Sequence, residues 1–279
     1  WMPVDLYMGG PEHAVGHLLY SRFWNNFLFE EGISPVKEPF AKLRHQGMIL
    51  GPNGEKMSKS KGNVINPDDV INEYGADALR LYEMFMGPIE SAKPWDEKGI
   101  EGSKKFLDRV WRVFVESDKV QNKENPNFEK EYNYTIKKVT EDYENMSFNT
   151  AIAQMMIFIN AAFKEKIIPI KMVEGFIKVL NPIAPHITEE IWNKLGHKNT
   201  ISYEKWPEYD ESKIVDDKVN LAVQINGKLR DLIEINMDEN QEKVKEIVHK
   251  SEKVASYIEG HEIVKEIYVK NKIYNIVIK

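Results

Sequence analysis

Between residues 97 and 195, apolar side chains recur every three or four positions, which is the period of one face of an α-helix. The two clearest faces consist of Ile100, Phe106, Val110 and Phe114 in one segment and Ile152, Met155, Ile159 and Phe163 in another. The spacing predicts helices over about 97–117, 129–145, 147–167, 170–180 and 185–195. Consecutive amphipathic helices of this kind are typical of a helix bundle.

The first 96 residues mix short apolar runs with helical segments. Val4–Met8 predicts a strand that two glycines end, and Glu12–Glu30 predicts the helix that follows it. Residues 48–50 predict another short strand. Asn66-Pro67-Asp68 combines a capping side chain, a proline suited to the first turn and an acid near the positive end of a helix. A helix therefore begins there, and a second one is predicted over 76–86.

A third pattern begins at residue 218, where apolar residues alternate with others as on a strand that is buried on one face. The turn Asn226-Gly227 is a strong signal for a hairpin. The pattern predicts strands over 218–225, 229–235, 262–269 and 273–278, and helices over 238–250 and 251–259, which form a small ββααββ module. Residues 198–217 lack periodicity and are predicted to be a linker.

Composition excludes several classes of protein. The chain has 279 residues, enough for about two domains, and no cysteine, which excludes disulfides and thiolate metal sites. It has no apolar run of about 18 residues that could span a membrane. The net charge of −6 argues against a protein coated in positive charge for non-specific nucleic-acid binding. We expect a cytoplasmic protein, and the start at Trp1 indicates a piece of a longer chain.

The segment Lys56-Met57-Ser58-Lys59-Ser60, called the lysine loop below, carries the strongest chemical signal. It has little apolar surface to bury and offers flexible ammonium groups and hydroxyl donors, which suit a polyphosphate. Lys56 and Lys59 would neutralise the charge of a triphosphate as it breaks, while Ser58 and Ser60 donate hydrogen bonds or cap the turn. The alternative interpretation is a solvated basic loop without a ligand.

Glu12, His13 and His17 follow the predicted first strand and form a second candidate site. Gly9-Gly10 at this strand-to-helix junction would let a ligand approach the backbone. Histidines four residues apart on a helix can share a zinc ion, but neither an acidic ligand nor a general base lies between them. We therefore predict no metal site. The alternative is a pair of partly exposed helix histidines.

The lysine loop resembles the second signature of the class I aminoacyl-tRNA synthetases. Residues 3–14 and 17–23 are similar to the strand and helix that precede this signature in leucyl-tRNA synthetases. Shorter segments fit the same family in the same order, at residues 38–40, 46–48, 74–77, 106–111 and 223–230. The resemblance, to the bacterial type of the family, covers essentially the whole chain.

This resemblance implies an α/β remnant of a Rossmann-like catalytic domain, followed by an all-α bundle and a small α+β domain. The implied domains are the second half of the catalytic domain over 1–96, an anticodon-binding-type bundle over 97–197, the linker over 198–217 and a tRNA-binding module over 218–279. The first signature motif of the family and its editing domain have no match in this chain.

The resemblance also implies a reaction with defined roles for residues. In the family, the leucine carboxylate attacks the α-phosphorus of ATP, pyrophosphate leaves, and the leucyl group moves to the terminal ribose of tRNA-Leu. Lys56 and Lys59 are the implied catalytic residues, and His13 and His17 would shape the leucine pocket. ATP, accompanied by Mg²⁺ and not by any tightly bound cofactor, would contact Gly9, Gly10, Glu12, Met48, Lys56, Met57, Ser58, Lys59 and Ser60.

Basic side chains suggest where tRNA would bind. Arg109 and Arg112 lie on a helix that could meet the RNA backbone, and Lys228 and Arg230 follow the Asn226-Gly227 turn. The alternative at each of these positions is an ordinary solvated charge. For Met48, the alternative is a methionine of the apolar core.

Three hypotheses about the function of the chain follow. The leading one is part of a monomeric leucine–tRNA ligase whose partners are tRNA-Leu, leucine and ATP, the fragment alone being inactive. The second is a valine, isoleucine or methionine enzyme, which shares the lysine loop. The third is a non-catalytic RNA-binding protein, which would leave the candidate ATP residues without a role.

Overall fold

The computed structural model describes residues 1–214, 218–236 and 239–279, apart from the side chain of Lys218. The chain divides into two compact units, Trp1–Lys213 and Ile214–Lys279, each with its own apolar core. Over the described ranges, no helix combines the length and the apolar composition that a membrane crossing requires.

The strands of the first 96 residues are short and pair in parallel. β1 (Tyr7–Gly9) pairs with β2 (Leu43–His45), and β3 (Ile49–Leu50) pairs with β4 (Lys93–Pro94). The first strand was expected over residues 4–8 and begins three residues later, because its extent is set by the distant partner strand. Val4 makes only a single parallel bridge, to Phe40.

The helix that follows β1 is interrupted, so the prediction of one continuous helix is wrong. A 3₁₀ turn over Pro11–His13 leads into a π-helical segment over Ala14–Leu18, and the regular helix α1 is Leu19–Glu30. Gly16 has φ −102° and ψ −109°, which lie outside the helical region. Glycine adopts such a conformation at little cost because it has no Cβ.

The predicted helix start at Asn66 is confirmed. α2 (Pro67–Tyr74) begins with the Asn66 side chain accepting a hydrogen bond from the amide of Asp68 at 3.2 Å. Gly75, with φ +91°, separates α2 from α3 (Ala76–Phe85), and a non-glycine residue would be strained there.

A helix bundle follows, close to its predicted bounds. It consists of α4 (Glu97–Trp111) with a π-helical turn over Arg112–Glu116, α5 (Pro126–Glu144), α6 (Phe148–Lys164), α7 (Ile170–Leu180) and α8 (Pro185–Lys194), and a parallel pair formed by β5 (Val120–Gln121) and β6 (Ile168–Pro169). The two predicted apolar faces are buried except for Phe163, which is exposed. Its ring lies 5.0 Å from the Lys119 Nζ, an arrangement suited to a cation–π contact.

Helix α3 is tied to the bundle by two side chains. The Asp77 carboxylate accepts hydrogen bonds from the amides of His186 at 3.3 Å and Ile187 at 2.8 Å, so it caps α8 from a different helix. Arg80 donates to the carbonyl oxygens of Pro182 at 2.8 Å and Ile183 at 2.9 Å. These bonds satisfy backbone groups that α8 and the preceding turn would otherwise leave without partners.

Residues 198–213, part of the predicted linker, lie against α5. The Trp206 indole donates to the Thr140 hydroxyl at 2.8 Å, and the Asp210 amide donates to the Asn133 side chain at 2.8 Å. Two 3₁₀ turns, Ile201–Tyr203 and Glu211–Lys213, occur in this segment. Residues 215–217 of the predicted linker lie outside the described residues.

The second unit is a four-stranded sheet with two helices. Its elements are β7 (Lys218–Ile225), β8 (Lys228–Asn236), α9 (Gln241–His249), α10 (Glu252–Ile258), β9 (Ile263–Val269) and β10 (Ile273–Ile278). The strand order is β8-β7-β10-β9, with β7 parallel to β10 and the other pairs antiparallel. Asn240 caps α9, whereas the predicted helix start at residue 238 lies outside the described residues.

Candidate active site

A cleft of about 410 Å³ lies at the carboxyl end of β1, beside β3. Gly10, Glu12 and Met48, three of the residues predicted to contact ATP, line it together. The volume falls within the range of small-molecule sites, roughly 300–1,000 Å³. The structure thus brings together a glycine turn, an acid and a strand residue that are separated by up to 38 positions in the chain.

Gly10 lets the Glu12 side chain fold back over the backbone. A Cβ placed on Gly10 would lie 2.4 Å from a carboxylate oxygen of Glu12, which is far inside contact distance. The neighbouring Gly9 carbonyl accepts a hydrogen bond from the Gln46 amide at 3.2 Å. Gly10 therefore leaves room for the Glu12 carboxylate beside the backbone, and Glu12 lines the cleft, where it can accept hydrogen bonds from hydroxyl groups.

Gly47 is a structural requirement of the cleft that sequence reasoning missed. A Cβ at this position would lie 2.1 Å from the backbone carbonyl of Ser91, so the two backbones approach too closely for any side chain. The Gly47 amide donates to the Ile89 carbonyl at 2.7 Å. In the sequence, an isolated glycine beside a predicted strand is the signal for such a close approach of two backbones.

The lysine loop is held at both ends by backbone structure. Lys56 forms an antiparallel bridge with Leu50 of β3. At the other end, the Asn63 side chain accepts from the Ser58 amide at 2.9 Å and donates to the Lys56 carbonyl at 3.4 Å. Ser58 also caps a 3₁₀ turn over Lys59–Lys61. The loop thus has a defined conformation, with Lys59 at its tip.

The cations of this region differ in their partners. Lys61 forms an ion pair with Glu55 at 2.8 Å, whereas Lys56 and Lys59 are exposed and make no ion pair with any residue that the structure describes. Two ammonium groups are thus available to an anionic ligand. None of the five loop residues lines the cleft, however, so the predicted phosphate contacts and the predicted ribose contact are not assembled on one wall.

His13 and His17 lie beside β1 but outside the cleft lining. The His17 ring stacks on Tyr7 with centroids 5.6 Å apart, and its Nδ1 lies 3.1 Å from the Tyr7 hydroxyl. His13 packs near Gly9. The helix breaks at Gly16, between the two histidines, so they are not related by one regular helical turn. Their role in a leucine pocket stays a prediction.

Two further titratable side chains, Glu83 and Lys93, line the cleft, and no sequence pattern points to them. Burial raises the pKa of the Glu83 carboxyl, and the nearby Arg80 lowers it by a smaller amount. Burial also lowers the pKa of the Lys93 ammonium, with Glu90 opposing this effect. Neither residue belongs to a recognisable motif: Lys93 is brought to the cleft by the pairing of β3 with β4, and Glu83 by the position of α3.

The basic residues predicted to bind tRNA are already engaged in part. The Arg109 guanidinium donates to the Asn160 side chain. The Arg230 guanidinium lies 4.4 Å from the centre of the Tyr257 ring. Arg112 and Lys228 are exposed. In the described part of the chain, no group of three or more His, Cys, Asp or Glu residues is arranged to hold a metal ion.

Comparisons with known proteins give consistent matches. Residues 2–96 match the family model described as tRNA synthetases class I (I, L, M and V), and residues 126–247 match the anticodon-binding domain of tRNA ligase. A LeuRS from Agrobacterium radiobacter, solved as a ternary complex with tRNA and LeuAMS, is similar over 99% of this chain, with 33% identity and a TM-score of 0.80. This chain covers 38% of that LeuRS.

A more distant structure has a related fold. The methionyl-tRNA synthetase of Mycobacterium tuberculosis, in complex with methionyl-adenylate, matches 71% of this chain with 16% identity and a TM-score of 0.53, and 45% of that protein is covered. At this identity the likeness shows the fold alone. The chain thus spans less than half the length of either solved relative.

Proposed function

This chain belongs to the class I tRNA synthetases of the isoleucine, leucine, methionine and valine group, and on that premise we propose that it is part of a leucine–tRNA ligase. Its fold fits this family, with a partial Rossmann-like domain, a helical anticodon-binding region and a small sheet domain. The single observation that carries the choice of leucine is the 33% identity to a LeuRS over 99% of the chain.

The proposed reaction joins leucine to tRNA-Leu in two steps. A carboxylate oxygen of leucine attacks the α-phosphorus of ATP, the bond to the bridging oxygen breaks, and pyrophosphate leaves with its electron pair. The terminal ribose hydroxyl of the tRNA then attacks the carbonyl carbon, and AMP leaves. The LeuRS relative was solved with tRNA and LeuAMS, which supports tRNA and an activated amino acid as ligands of the proposed enzyme.

Residues of this chain would act mainly in the first step. Glu12 would accept hydrogen bonds from ribose hydroxyls, and Met48 would pack beside the adenine, since both line the cleft. Lys56 and Lys59 have no competing ion pair among the described residues and would stabilise the charge that develops on pyrophosphate. Because the lysine loop lies outside the cleft lining, it would close over the phosphates in the reacting complex.

Mg²⁺ would enter as the counter-ion of ATP. It would be held mainly by the phosphate oxygens, because the described residues offer no cluster of ligands for it. His13 and His17 would contribute to the leucine pocket from their positions beside β1. These 279 residues alone would not activate leucine, since they correspond to 38% of the LeuRS relative.

The direct test is ATP–pyrophosphate exchange by the gene product that contains these residues, measured with leucine, isoleucine, valine and methionine. We expect leucine to exceed the others in kcat/KM by about ten- to hundredfold, as a shaped apolar pocket allows. A preference for another of the four would overturn the assignment of leucine. Binding of tRNA without any exchange would favour a non-catalytic RNA-binding protein. Exchange by the 279-residue chain alone would contradict its proposed inactivity.

The second unit gives a further test. Deleting residues 218–279 from the same gene product should reduce aminoacylation of tRNA-Leu and leave exchange within about twofold, because this unit has its own core and the described residues that line the cleft belong to Trp1–Lys213. Loss of exchange together with aminoacylation would show that the unit supports the fold of the enzyme and does not merely bind tRNA.

A further inference from the structure

Asn63 closes the base of the lysine loop with both polar atoms of its side chain. Its Oδ1 accepts a hydrogen bond from the Ser58 amide at 2.9 Å, and its Nδ2 donates to the Lys56 carbonyl at 3.4 Å. A primary amide carries an acceptor and a donor side by side, as the backbone of a neighbouring strand does. The Asn63 side chain therefore takes the place of a strand partner for residues 56–58.

Gly51, at the end of β3, leaves the space that this amide occupies. A Cβ on Gly51 would lie 2.9 Å from the Asn63 Nδ2, which is closer than two such atoms can approach without a shift. Gly51 is buried, and its own amide donates to the Glu55 carbonyl at 2.8 Å. The turn that this bond closes leads directly to Lys56 and its bridge to Leu50. The Asn63 amide is thus enclosed between the end of β3 and the lysine loop.

The rest of the loop is built on the backbone that Asn63 holds. The Ser58 hydroxyl accepts from the Lys61 amide at 3.3 Å and caps the 3₁₀ turn in which Lys59 is the first residue. Gly62, with φ +63°, then turns the chain back toward Asn63. The direction in which Lys59 leaves the loop therefore depends on the Ser58 backbone, and through it on Asn63.

The two lysines proposed to contact phosphate have no other restraint of this kind. Lys56 and Lys59 form no ion pair with a described residue, so the loop backbone sets where their side chains begin. Electrostatic stabilisation of a transition state requires charges that are placed beforehand, and a misplacement of about 1 Å can cost on the order of a hundredfold in rate. A loop that keeps its internal conformation would bring both ammonium groups to the phosphates together.

We propose that Asn63 is a positioning residue for leucine activation, which acts through Lys56 and Lys59 by keeping the lysine loop in one conformation. This inference rests on the proposed function. Asn63 does not touch the phosphates; it holds the backbone from which the two lysines reach them. Its loss should lower kcat and spare leucine binding, since His13 and His17, proposed for the leucine pocket, belong to a different segment.

The first test is leucine-dependent ATP–pyrophosphate exchange by the gene product that contains this chain. Asn63→Ala should lower kcat by about tenfold and change the KM for leucine by less than about twofold. Asn66→Ala is the matched control, because it removes a side-chain bond to a backbone amide, at 3.2 Å, just outside the loop. Its kcat should stay within about twofold of the unmodified enzyme. Equal effects of the two variants would overturn the proposal.

A double-mutant cycle measures whether Asn63 acts through Lys59. In a Lys59→Ala background, Asn63→Ala should lower kcat by less than about threefold further, because the ammonium group that it positions is already absent. Gly51→Ala places a Cβ in the space of the Asn63 amide, so it should lower kcat in the unmodified enzyme and add little in the Asn63→Ala background. A further loss of about tenfold in either background would overturn the proposal.

Transfer of leucine from preformed leucyl-adenylate to tRNA-Leu separates positioning from a loss of fold. Asn63→Ala should leave this step within about twofold, because pyrophosphate has already departed. Equal losses in exchange and transfer would mean that Asn63 only supports the fold, which overturns the proposal. Exchange that Asn63→Ala leaves unchanged overturns this inference alone. Absence of leucine-dependent exchange by the unmodified enzyme overturns the proposed function, and the inference with it.

Discussion

The first 69 residues and the helix bundle bury their apolar side chains to very different extents. Of the apolar side chains of residues 1–69, all of which are described, Pro39 alone is buried, whereas α6 and α7 supply Phe158, Ile159 and Phe176 to the core at 0% exposure. On α1, Phe23 is 64% and Trp24 is 58% exposed. Stability therefore resides mainly in the bundle, while the first region is held by short strand pairs and turns.

The candidate catalytic and ligand-binding residues are distributed in the opposite way. Glu12, Met48, Lys56 and Lys59 all belong to the region with little core. Surface loops and strand ends can position polar groups toward a ligand, which tightly packed helices do not. Asp77 and Arg80 tie α3, which follows the first region in the chain, to the start of α8 and to the turn before it. The bundle thus supports a candidate site whose residues lie in the first region.

The largest expected effect tests where stability resides. Phe176→Ala should lower the free energy of unfolding by about 3–5 kcal/mol, because it leaves a cavity against Phe114 and Phe158. Phe23→Ala, the matched change on α1, should cost less than about 1 kcal/mol. Urea titration of both variants provides the measurement. Equal losses of unfolding free energy would show that the first region has an apolar core as stabilising as that of the bundle.

The pH dependence of stability gives a second contrast. Burial against α7, with Glu174 nearby, raises the pKa of Tyr132 to about 12, compared with about 10 in an unfolded chain. The unfolded state therefore releases this proton first, and stability is present below pH 10 and is lost as the pH rises toward 12. The difference between these two pKa values corresponds to a contribution of roughly 2–3 kcal/mol to the stability of the folded state below pH 10.

Tyr132→Phe should remove that part of the alkaline decrease, as urea titrations at pH 9 to 12 would show. Tyr20→Phe on the exposed face of α1 is the control, and its stability should follow the unmodified chain throughout. Parallel curves for the unmodified chain and Tyr132→Phe would mean that the hydroxyl is not desolvated in the bundle.

Breaking the contact between α3 and α8 should have a smaller effect on stability. Asp77→Ala leaves the amides at the start of α8 without their cap and should cost about 1–2 kcal/mol. Faster hydrogen exchange at Ile187 is the specific signature to measure. Asp69→Ala, an exposed acid in the first turn of α2, should change stability by only a few tenths of a kcal/mol. If the two variants lose the same amount of stability, the Asp77 cap does not couple α3 to the bundle.

The two regions also differed in how well their fold was predicted. The strong helical period of the bundle gave α7 at the observed bounds, Ile170–Leu180, because local amphipathic patterning is sufficient there. β1 was displaced, since its register depends on Leu43–His45, far along the chain. The break at Gly16 was missed because the sequence around it still has a helical pattern.

The candidate site was predictable only where motifs mark it. Gly10, Glu12 and Met48 were found through the order of their neighbours, and the structure places them in one cleft. Glu83 and Lys93 belong to no motif, and the approach of Lys93 to Met48 depends on a parallel pairing over 44 positions, Ile49 with Lys93. Such contacts follow from tertiary structure and cannot be derived from local patterns.

The most direct test of the proposed role of the lysine loop compares two neighbouring lysines: Lys59, which has no ion pair with a described residue, and Lys61, which is paired with Glu55. In leucine-dependent ATP–pyrophosphate exchange by the gene product that contains this chain, Lys59→Ala should lower kcat by about a hundredfold or more and change the KM for leucine little. Lys61→Ala should stay within about threefold of the unmodified enzyme. Equal effects of the two substitutions, or an equal loss in kcat and leucine binding for Lys59→Ala, would contradict a transition-state role for the lysine loop.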